Sequence, residues 1–363
     1  MPIKESSFRI GCGRYVQEAG LLRRSGAEIA RFGHAPLLVG GPTAWSLTRD
    51  TIEHSLKQAV SAYGIYEHRG TCNEEDAKRF AALAKQEGFD VIVGVGGGVI
   101  MDFSKLIAHF ASLPVVNIPT SSATCAAYTP LSVRYTPEGR TVGSLHYDHE
   151  VDSVLVDTEI LAKQPNRLLL AGVFDALAKF IEIKHRFAGD ATDYPLGLDW
   201  AYIMSVHSYR ELCQTVQGYL ATPDRDPEGD EVNRMIFTLI AATGVISGIA
   251  RGSNQTALAH KFYEATRVLF YEESRPYLHG EIVGIGLLLQ NVFNGEEEEN
   301  RLLTDLMKAY HMPCCLSDMG IAPTEETVNA YYEALQNSSA VKEAGEGALD
   351  KLTKTLRYLQ ELG

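Results

Sequence analysis

The sequence lacks the features that mark several specialised classes of protein. It has only six cysteines and no C-x-x-C pair, so neither a zinc knuckle nor a disulfide framework is predicted. The uncharged runs 235–250 and 282–295 are shorter than the roughly 20 residues of a membrane span. Lys and Arg number 33 against 46 Asp and Glu, a net charge of −13, whereas phosphate binding needs clustered cations. We therefore expect no nucleic-acid partner and no membrane partner.

The composition is that of an ordinary globular protein. At about 150 residues per domain, 363 residues correspond to about two domains. Hydrophobic residues make up 45% and charged residues 22% of the chain. The first fifteen residues contain no apolar stretch typical of a secretory signal, and the cysteines form no recognisable framework. We therefore expect a cytoplasmic protein.

The first part of the chain alternates between strand and helix patterns. Short apolar runs predict strands at 37–39, 91–95, 115–118 and 154–156, and helical patterns lie at 51–63, 73–86 and 100–111. A hairpin is predicted from 131–135 and 141–145. This βαβαβ order predicts an α/β domain with a parallel, Rossmann-like sheet. Beyond residue 160 the patterns are helical, at 166–185, 200–220, 233–249, 256–269 and 279–293. We therefore predict an α/β domain over 1–162 and an all-α domain over 163–363.

A glycine-rich loop is the first candidate for chemistry. Gly96, Gly97 and Gly98 lie between the predicted strand 91–95, which contains Gly94, and the predicted helix that follows it. Glycine lets a pyrophosphate approach the backbone, and the helix start offers N–H donors. The spacing is not G-x-G-x-x-G, so a tight strand-to-helix turn remains the alternative. Asp102 follows on the same helix as a candidate cofactor-binding residue, although it also suits the helix dipole.

Three residues of the helical part are candidate metal ligands. Asp175 lies in an apolar stretch, where an ionised carboxylate is costly unless it is paired or bound to a metal. His260 and His279 also lie next to apolar runs. The three positions are 85 and 19 residues apart, so spacing alone does not bring them together, and each histidine taken singly is more typical of a structural role. An Asp/His/His set with one open position would suit catalytic zinc.

A family resemblance adds what spacing cannot give. The chain resembles the iron-containing alcohol dehydrogenase superfamily, in its glycerol dehydrogenase-like branch. The segments that carry this resemblance span most of the chain: 94–105, 118–125, 130–135, 170–178, 257–260 and 279–283. The resemblance implies a dehydroquinate synthase-like fold, with nucleotide binding by 1–162 and metal and substrate binding by 163–363. It also implies an active site in the cleft between these domains, and a homo-oligomer.

The resemblance assigns roles to individual positions. Asp175, His260 and His279 match residues that bind one divalent metal, with zinc expected here. The remaining matches are to cofactor-binding positions, namely Gly96, Gly97 and Gly98 at the pyrophosphate and Thr120, Thr129, Leu131 and Tyr135 at the nicotinamide half.

Three positions depart from the family pattern. Lys179 stands where iron-type members have a fourth ligand, a histidine, and three ligands suit zinc better. Cys125 stands where glycerol dehydrogenases have an aspartate that contacts the polyol. Gly41 stands where an acidic residue binds the adenosine ribose, so NAD and NADP both remain open.

These departures predict the substrate class. Cys125 removes a negative charge and Lys179 adds a positive one, which favours a carboxylate substrate. We therefore predict an NAD(P)-linked dehydrogenase of a small 2-hydroxy acid/2-oxo acid couple, with Cys125 and Lys179 in the substrate site. The segment 123–131 also resembles hydroxycarboxylate dehydrogenases of this branch. An ion pair of Lys179 with Glu182 or another acid is the structural alternative. Three other functions remain open. The first is dehydrogenation of glycerol, of another polyol or of a phosphate-bearing polyol. The second is a dehydroquinate synthase-like lyase activity, and the third is binding of a metal or nucleotide without catalysis.

Overall fold

The chain forms two compact units. The structure, a computed structural model, describes residues 10–187, 196–250 and 255–361. The first unit comprises Arg9–Leu169 and Leu212–Gly248, and we call it the sheet unit. The second comprises Leu170–Glu211 and the chain from Ile249 onwards, and we call it the helical unit. Residues 1–9, which carry part of the expectation about a secretory signal, lie outside the described residues. The predicted domain boundary near residue 162 stays a prediction.

The sheet unit is built on a six-stranded parallel sheet of order β1-β8-β5-β4-β2-β3. Two further strands, β6 and β7, form an antiparallel hairpin. The strands are β1 (Tyr15–Glu18), β2 (Pro36–Gly40), β3 (Gly64–Glu67), β4 (Val91–Gly96), β5 (Val115–Pro119), β6 (Leu131–Tyr135), β7 (Thr141–His146) and β8 (Ser153–Asp157). The predicted parallel sheet and the hairpin are therefore confirmed.

The described residues also contain sixteen α-helices. They are α1 (Ser25–Ile29), α2 (Pro42–Leu56), α3 (Glu74–Glu87), α4 (Gly98–Ala111), α5 (Thr158–Leu161), α6 (Asn166–Phe187), α7 (Leu196–Ala221), α8 (Asp230–Phe237), α9 (Thr243–Ala250), α10 (Leu258–Leu269), α11 (Tyr271–Ser274), α12 (His279–Asn294), α13 (Glu297–Ala309), α14 (Glu325–Leu335), α15 (Ser339–Lys342) and α16 (Ala348–Glu361). No strand follows β8 within the described residues. The predicted combination of a parallel α/β part with a helical remainder is confirmed.

The main strands of the sheet are buried and apolar, as their sequences predict. β2, β4, β5 and β8 are buried at every residue, which is typical of parallel strands covered on both faces. The core around them includes Leu38, Val93 and Leu155, which are fully buried, and the ring of Trp45. The indole N–H of Trp45 donates to the carbonyl oxygen of Tyr66 at 3.2 Å, so α2 is fixed to β3.

One predicted helix was wrong in its bounds, and two strands of the sheet, β3 and β1, were not predicted. The helix predicted at 51–63 runs over Pro42–Leu56, because Pro42 occupies the first turn of the helix, where its missing N–H costs nothing. Residues from Gly64 onwards then form the half-buried strand β3 instead. β1, also mostly half-buried, was not predicted.

The helix predicted at 233–249 is interrupted. α8 and α9 are joined by a π-helical segment, Thr238–Ala242, and the hydroxyl of Thr243 donates to the carbonyl of Thr238 at 2.7 Å. The stretch Asp230–Ala250 is the one described helical stretch that is long and apolar enough to cross a membrane, and 61% of its most apolar part is buried within the protein. A buried core helix can have the same length and apolar composition, so the expected absence of a membrane partner stays a prediction.

The helical unit is organised around α12. This helix is buried over most of its length and packs against α10, α13 and α16. A helix that is apolar on all sides is typical of such a central position. Its first residue is His279, and the carboxylate of Glu281 accepts the backbone N–H of Leu278 at 2.7 Å, which fixes the start of the helix.

Candidate functional site

Helix α6 carries three buried charged side chains on one face. Asp175, Lys179 and Glu182 are spaced by four and three residues, so they lie on successive turns of the same side. Their exposed fractions are 4%, 4% and 0%. Buried charges are tolerated only where partners compensate them, so this face of α6 must be paired with groups from other elements.

Asp175 meets the two predicted histidines. Its Oδ1 lies 3.6 Å from Nε2 of His260, near the start of α10, and 3.5 Å from Nε2 of His279, at the start of α12. The two imidazole centroids are 5.3 Å apart. The structure therefore brings together the three residues that the sequence placed on separate helices.

The donor atoms fit a divalent metal. One atom from each of Asp175, His260 and His279 lies within 4.8 Å of the other two. Bonds of about 2.0–2.1 Å in tetrahedral geometry place neighbouring ligand atoms about 3.3 Å apart. The separations of 3.5 and 3.6 Å are close to that value. One carboxylate and two imidazoles also form a donor set suited to zinc or iron, with positions left open for a substrate.

Two glycines allow the helices to approach at this point. A Cβ on Gly280 would lie 1.8 Å from the carbonyl oxygen of Ala171 on α6, and a Cβ on Gly286 would lie 2.6 Å from that of Ala259 on α10. Real Cβ contacts are never this short. The close approach of α12 to both neighbours therefore depends on glycine and sets the separation of the three candidate ligands.

Lys179 lies beside the same carboxylate. Its Nζ is 3.4 Å from Oδ1 of Asp175, one helical turn away. Glu182, the partner that the sequence offered for Lys179, contacts His260. Lys179 therefore pairs with another acid, Asp175, as the structural alternative expects, and its role towards a substrate stays a prediction.

Electrostatics favour the ionised form of both carboxylates. Burial would raise the pKa of Asp175, but Lys179 and the two imidazoles hold that pKa well below its ordinary value. Glu182 is likewise buried, and its contacts with His260 lower its pKa. Desolvation would lower the pKa of His260, but Glu182 and Asp175 outweigh it and raise that pKa to about 9. Desolvation lowers the pKa of His279.

The site is least buried at His279. The side chain of His279 keeps 28% of its surface exposed, whereas that of Asp175 keeps 6%. The ring of Tyr263 packs edge-on against this imidazole, with centroids 4.3 Å apart. His279 is therefore the most exposed of the three candidate ligands.

Glu182 was missed as a functional residue by sequence reasoning. It contacts Nδ1 of His260 through one carboxylate oxygen, and its other oxygen accepts the backbone N–H groups of Ala257 at 2.6 Å and His260 at 2.9 Å. Its spacing of seven residues from Asp175 was the available signal, because it places both acids on one face of α6.

In the sheet unit, the predicted cofactor glycines lie at one edge of the sheet. β2 ends at Gly40 opposite Val95 of β4, and Gly96 pairs with Pro119 at the end of β5. Gly41, Gly97 and Thr120 directly follow these three strand ends, and Gly98 opens α4. The carboxyl edge of a parallel sheet is the usual place for a nucleotide, and α4 presents its N-terminus there.

Asp102 and Lys105 hold the segment after β5. The Nζ of Lys105 lies 2.9 Å from Oδ1 of Asp102 and donates to the carbonyls of Ala126 at 2.7 Å, Thr129 at 3.0 Å and Leu131. Asp102 Oδ2 accepts the backbone N–H of Val133 at 3.0 Å. The pair therefore fixes Thr129 and Leu131, two of the predicted nicotinamide contacts. A direct contact of Asp102 with the cofactor stays a prediction.

The two remaining predicted positions, Cys125 and Tyr135, also belong to the sheet unit. Cys125 is 7% exposed, and its carbonyl accepts the backbone N–H of Tyr128 at 2.9 Å and of Thr129 at 3.3 Å. Tyr135 ends β6, and its backbone N–H donates to the carbonyl of Cys72 at 2.8 Å. Their predicted roles towards substrate and cofactor stay predictions.

Comparisons with known proteins agree with these observations. A sequence model of the family described as iron-containing alcohol dehydrogenase matches residues 12–158. A glycerol dehydrogenase of Thermotoga maritima is 34% identical over 281 residues, which are 76% of this chain and 74% of that protein. Hydroxycarboxylate dehydrogenase A of Escherichia coli is 31% identical over 264 residues, 70% and 69% of the respective chains.

A solved structure shares the fold. The crystal structure of a probable glycerol dehydrogenase from Sinorhizobium meliloti superposes with a TM-score of 0.83 at 22% identity, covering 98% of this chain and 99% of that one. The architecture of the two units is therefore that of a known enzyme fold.

Proposed function

The chain belongs to the iron-containing alcohol dehydrogenase family, in its glycerol dehydrogenase-like branch, and from this premise we propose that it interconverts a small 2-hydroxy acid and the corresponding 2-oxo acid. Membership makes it an oxidoreductase that acts on alcohol CH–OH groups and uses a divalent metal and NAD(P). The relatives are named as dehydrogenases, which favours dehydrogenation of an alcohol over a lyase reaction and over binding without catalysis.

Asp175, His260 and His279 are the proposed metal ligands, and zinc is the proposed metal. Their donor atoms lie within 4.8 Å of one another, and three protein ligands with an open position are typical of catalytic zinc. A metal bound there would supply Lewis acidity towards the alcohol or carbonyl oxygen of the substrate. Asp175 is held ionised by its neighbours, so it is ready to bind a cation without first losing a proton.

The buried ammonium of Lys179 is the observation that carries the substrate class. It lies 3.4 Å from Oδ1 of Asp175 and is 4% exposed. A divalent cation held by Asp175 would add positive charge beside Lys179 in a site of low dielectric, where charges interact strongly. A carboxylate on the substrate would compensate that charge, whereas an uncharged polyol would not. Lys179 is therefore the proposed partner of the substrate carboxylate.

The proposed cofactor site is the carboxyl edge of the sheet. Gly96, Gly97 and Gly98 would admit the pyrophosphate at the N-terminus of α4. NADP is retained beside NAD, because Gly41 offers no carboxylate to repel a 2′-phosphate. A nicotinamide cofactor held there would supply the hydride chemistry, and these residues would orient it. The other proposed contacts are Asp102, Thr120, Thr129, Leu131 and Tyr135. Cys125 is proposed as a small neutral residue of the substrate site.

Dehydrogenation of glycerol or another polyol is the second candidate. It rests on the names of relatives such as the Thermotoga maritima protein and a Pseudomonas putida protein, which are glycerol dehydrogenases, the latter 31% identical over 322 residues. The two candidates differ in the role of Lys179, since only an acid substrate needs its charge.

A substrate panel tests the proposal. Purified protein is assayed with and without added zinc, with NAD(H) and NADP(H), on glycerol, dihydroxyacetone, 2-oxobutyrate and 2-oxoglutarate. We expect the highest kcat/KM for a 2-oxo acid. Lys179→Met should raise the KM for that acid at least about tenfold, because a charge-assisted hydrogen bond is worth about 1.5–3 kcal/mol, and Lys179→Arg should retain part of the affinity. A clear preference for glycerol, or an unchanged KM in Lys179→Met, would contradict the acid substrate.

A further inference from the structure

Glu182 holds His260 from the side opposite to the candidate metal position. It is fully buried, and one carboxylate oxygen contacts Nδ1 of His260. The other ring nitrogen, Nε2, lies 3.6 Å from Oδ1 of Asp175. The two carboxylates of α6 therefore bracket one imidazole, one at each nitrogen.

We infer that Glu182 is a positioning residue for the metal centre, which orients the ring of His260 and keeps its proton on Nδ1 so that Nε2 is free to bind the metal. This inference rests on the proposed metal site. An ionised carboxylate can only accept a hydrogen bond, so the nitrogen that faces Glu182 must carry the hydrogen. When the ring is neutral, as a metal-binding imidazole must be, the tautomer with a lone pair on Nε2 is then the one that forms, and a carboxylate in this place also strengthens the imidazole as a ligand.

The same side chain sets the position of helix α10. Its Oε1 accepts the backbone N–H groups of Ala257 and His260 at 2.6 and 2.9 Å. Ala257 is the N-cap residue of α10 and has no side-chain oxygen of its own to cap the helix. Glu182 supplies the cap from α6, and its negative charge is favourable at a helix N-terminus. One residue therefore fixes both the backbone and the ring of His260.

The spacing on α6 explains how this arrangement is built. Asp175 and Glu182 lie two turns apart, so one helix supplies a candidate ligand and the group that aims a second one. The start of α10 spans the gap between them, with Nε2 of His260 towards Asp175 and Nδ1 towards Glu182. A purely structural cap would use the backbone bonds alone and would leave the ring free.

Zinc affinity separates these two roles. Glu182→Gln keeps the shape and one oxygen for the backbone N–H groups, but its amide nitrogen cannot accept from Nδ1. We expect zinc affinity, measured on the full chain by competition with a chromophoric chelator, to fall by about 10–100-fold. The absorption spectrum of the Co²⁺-loaded protein should also change, because the geometry of the ligand field changes. Circular dichroism should remain that of a folded protein.

Two further variants make the result interpretable. Glu28→Gln is the matched control, because Glu28 is a buried acid of the sheet unit that pairs with Arg14, and it should bind zinc like the parent. His260→Ala should bind zinc more weakly than Glu182→Gln. If Glu182→Gln fails to fold, Glu182→Asp replaces it. This variant keeps the charge but draws it back from the ring, so its zinc affinity should also be reduced.

Each contrary outcome has its own meaning. Zinc affinity within about twofold of the parent and an unchanged Co²⁺ spectrum in Glu182→Gln, or an unchanged affinity in Glu182→Asp, would overturn the role of Glu182, since such positioning contacts contribute tenfold or more. The metal site would still stand if His260→Ala had lost zinc. Equal zinc binding by His260→Ala and the parent would overturn the metal site itself, and the role of Glu182 with it.

Discussion

The ammonium of Lys179 lies 3.4 Å from the carboxylate oxygen of Asp175 that also faces both candidate imidazole ligands. The three contacts to this one oxygen come from α6, α10 and α12. Lys179 therefore stands beside the metal position, one turn from a candidate ligand, where a side chain with a lone pair would be a fourth ligand. The charge at residue 179 thus bears on the choice of both metal and substrate.

Lys179→His is expected to move metal preference towards iron. The substitution removes a positive charge near the cation and adds an imidazole, so both Fe²⁺ and Zn²⁺ should be held more tightly, and Fe²⁺ should gain more because it accepts higher coordination. We expect the ratio of bound iron to zinc to rise at least about tenfold, equivalent to about 1.4 kcal/mol. The measurement is metal content after anaerobic loading with equal concentrations of both ions. Lys179→Gln, which removes the charge without adding an imidazole, is the control. The same ratio in both variants would contradict a fourth ligand at this position.

Gly280→Ala should damage the candidate metal site through the backbone. The new Cβ would meet the carbonyl oxygen of Ala171 at 1.8 Å, so the start of α12 must move away from α6 and carry His279 with it. Overpacking of this kind costs about 1–3 kcal/mol or more. We expect a lower free energy of unfolding in urea and at least tenfold weaker zinc binding, by the tenfold-per-1.4 kcal/mol relation.

Gly218→Ala is the matched control for that variant. Gly218 lies within helix α7, where a Cβ would meet only Glu231 Oε1, at 3.6 Å. Alanine in such a helix interior should stabilise by about 0.5–1 kcal/mol. Zinc affinity should not change in Gly218→Ala. Full zinc binding by Gly280→Ala would show that the close approach of α12 and α6 is not needed for the site.

The sheet unit was predictable where local signals agreed. β4 is a β-branched run followed by glycines, and α3 begins with Asn73, whose side chain accepts the N–H of Asp76 as an N-cap. The start of α2 was not predicted, because Gly40, Gly41 and Pro42 together are typical of a turn, whereas Pro42 here opens a helix. Local patterns cannot separate these two uses of proline.

The candidate site was predictable only in part. A carboxylate within an apolar helix indicated Asp175, but the meeting of α6, α10 and α12 is a tertiary fact that separations of 85 and 19 residues do not contain. The family resemblance supplied it. Glu182 was missed because it precedes Lys184, His185 and Arg186, a composition typical of a solvated helix end. Its burial comes from the start of α10, which is remote in sequence.

Glu28 should contribute stability that depends on pH. Its carboxylate pairs with Arg14 at 2.8 Å and with Arg24, and Arg31 lies 3.9 Å away, while Glu18 faces Arg24. The hydrogen bond from Arg14 lowers the pKa of Glu28 below its ordinary value, against the opposing effect of burial. The ionised form therefore stabilises the fold at neutral pH, and this contribution is lost as the pH falls through the lowered pKa.

Glu28→Gln tests this dependence. At neutral pH the variant should melt at a lower temperature than the parent, and the difference in Tm should shrink as the pH is lowered to about 3, below the usual glutamate pKa of about 4.3. Thermal denaturation followed by circular dichroism across this range gives the comparison. Glu53→Gln is the control, because Glu53 pairs with the exposed Arg49 within helix α2. This variant should differ little from the parent in Tm at every pH. A Tm difference for Glu28→Gln that is constant with pH would contradict the assigned pKa.

Gly41→Asp should convert cofactor preference towards NAD. Gly41 is the N-cap of α2 in an extended conformation, φ −79° and ψ 159°, and the nearest atom to a Cβ there would be Ile100 Cγ1 at 3.9 Å. Aspartate therefore fits without strain and is a better N-cap than glycine by a few tenths of a kcal/mol. Its carboxylate would bind the ribose hydroxyls of NAD and repel the 2′-phosphate of NADP. We expect the NAD to NADP ratio of kcat/KM to rise at least about tenfold, which corresponds to 1.36 kcal/mol.

Gly41→Asn offers the same helix cap without the charge, so it should leave this ratio close to that of the parent. Equal ratios in the Asp and Asn variants would place the adenosine ribose away from residue 41, and a parent that already rejects NADP would show that another group performs the discrimination.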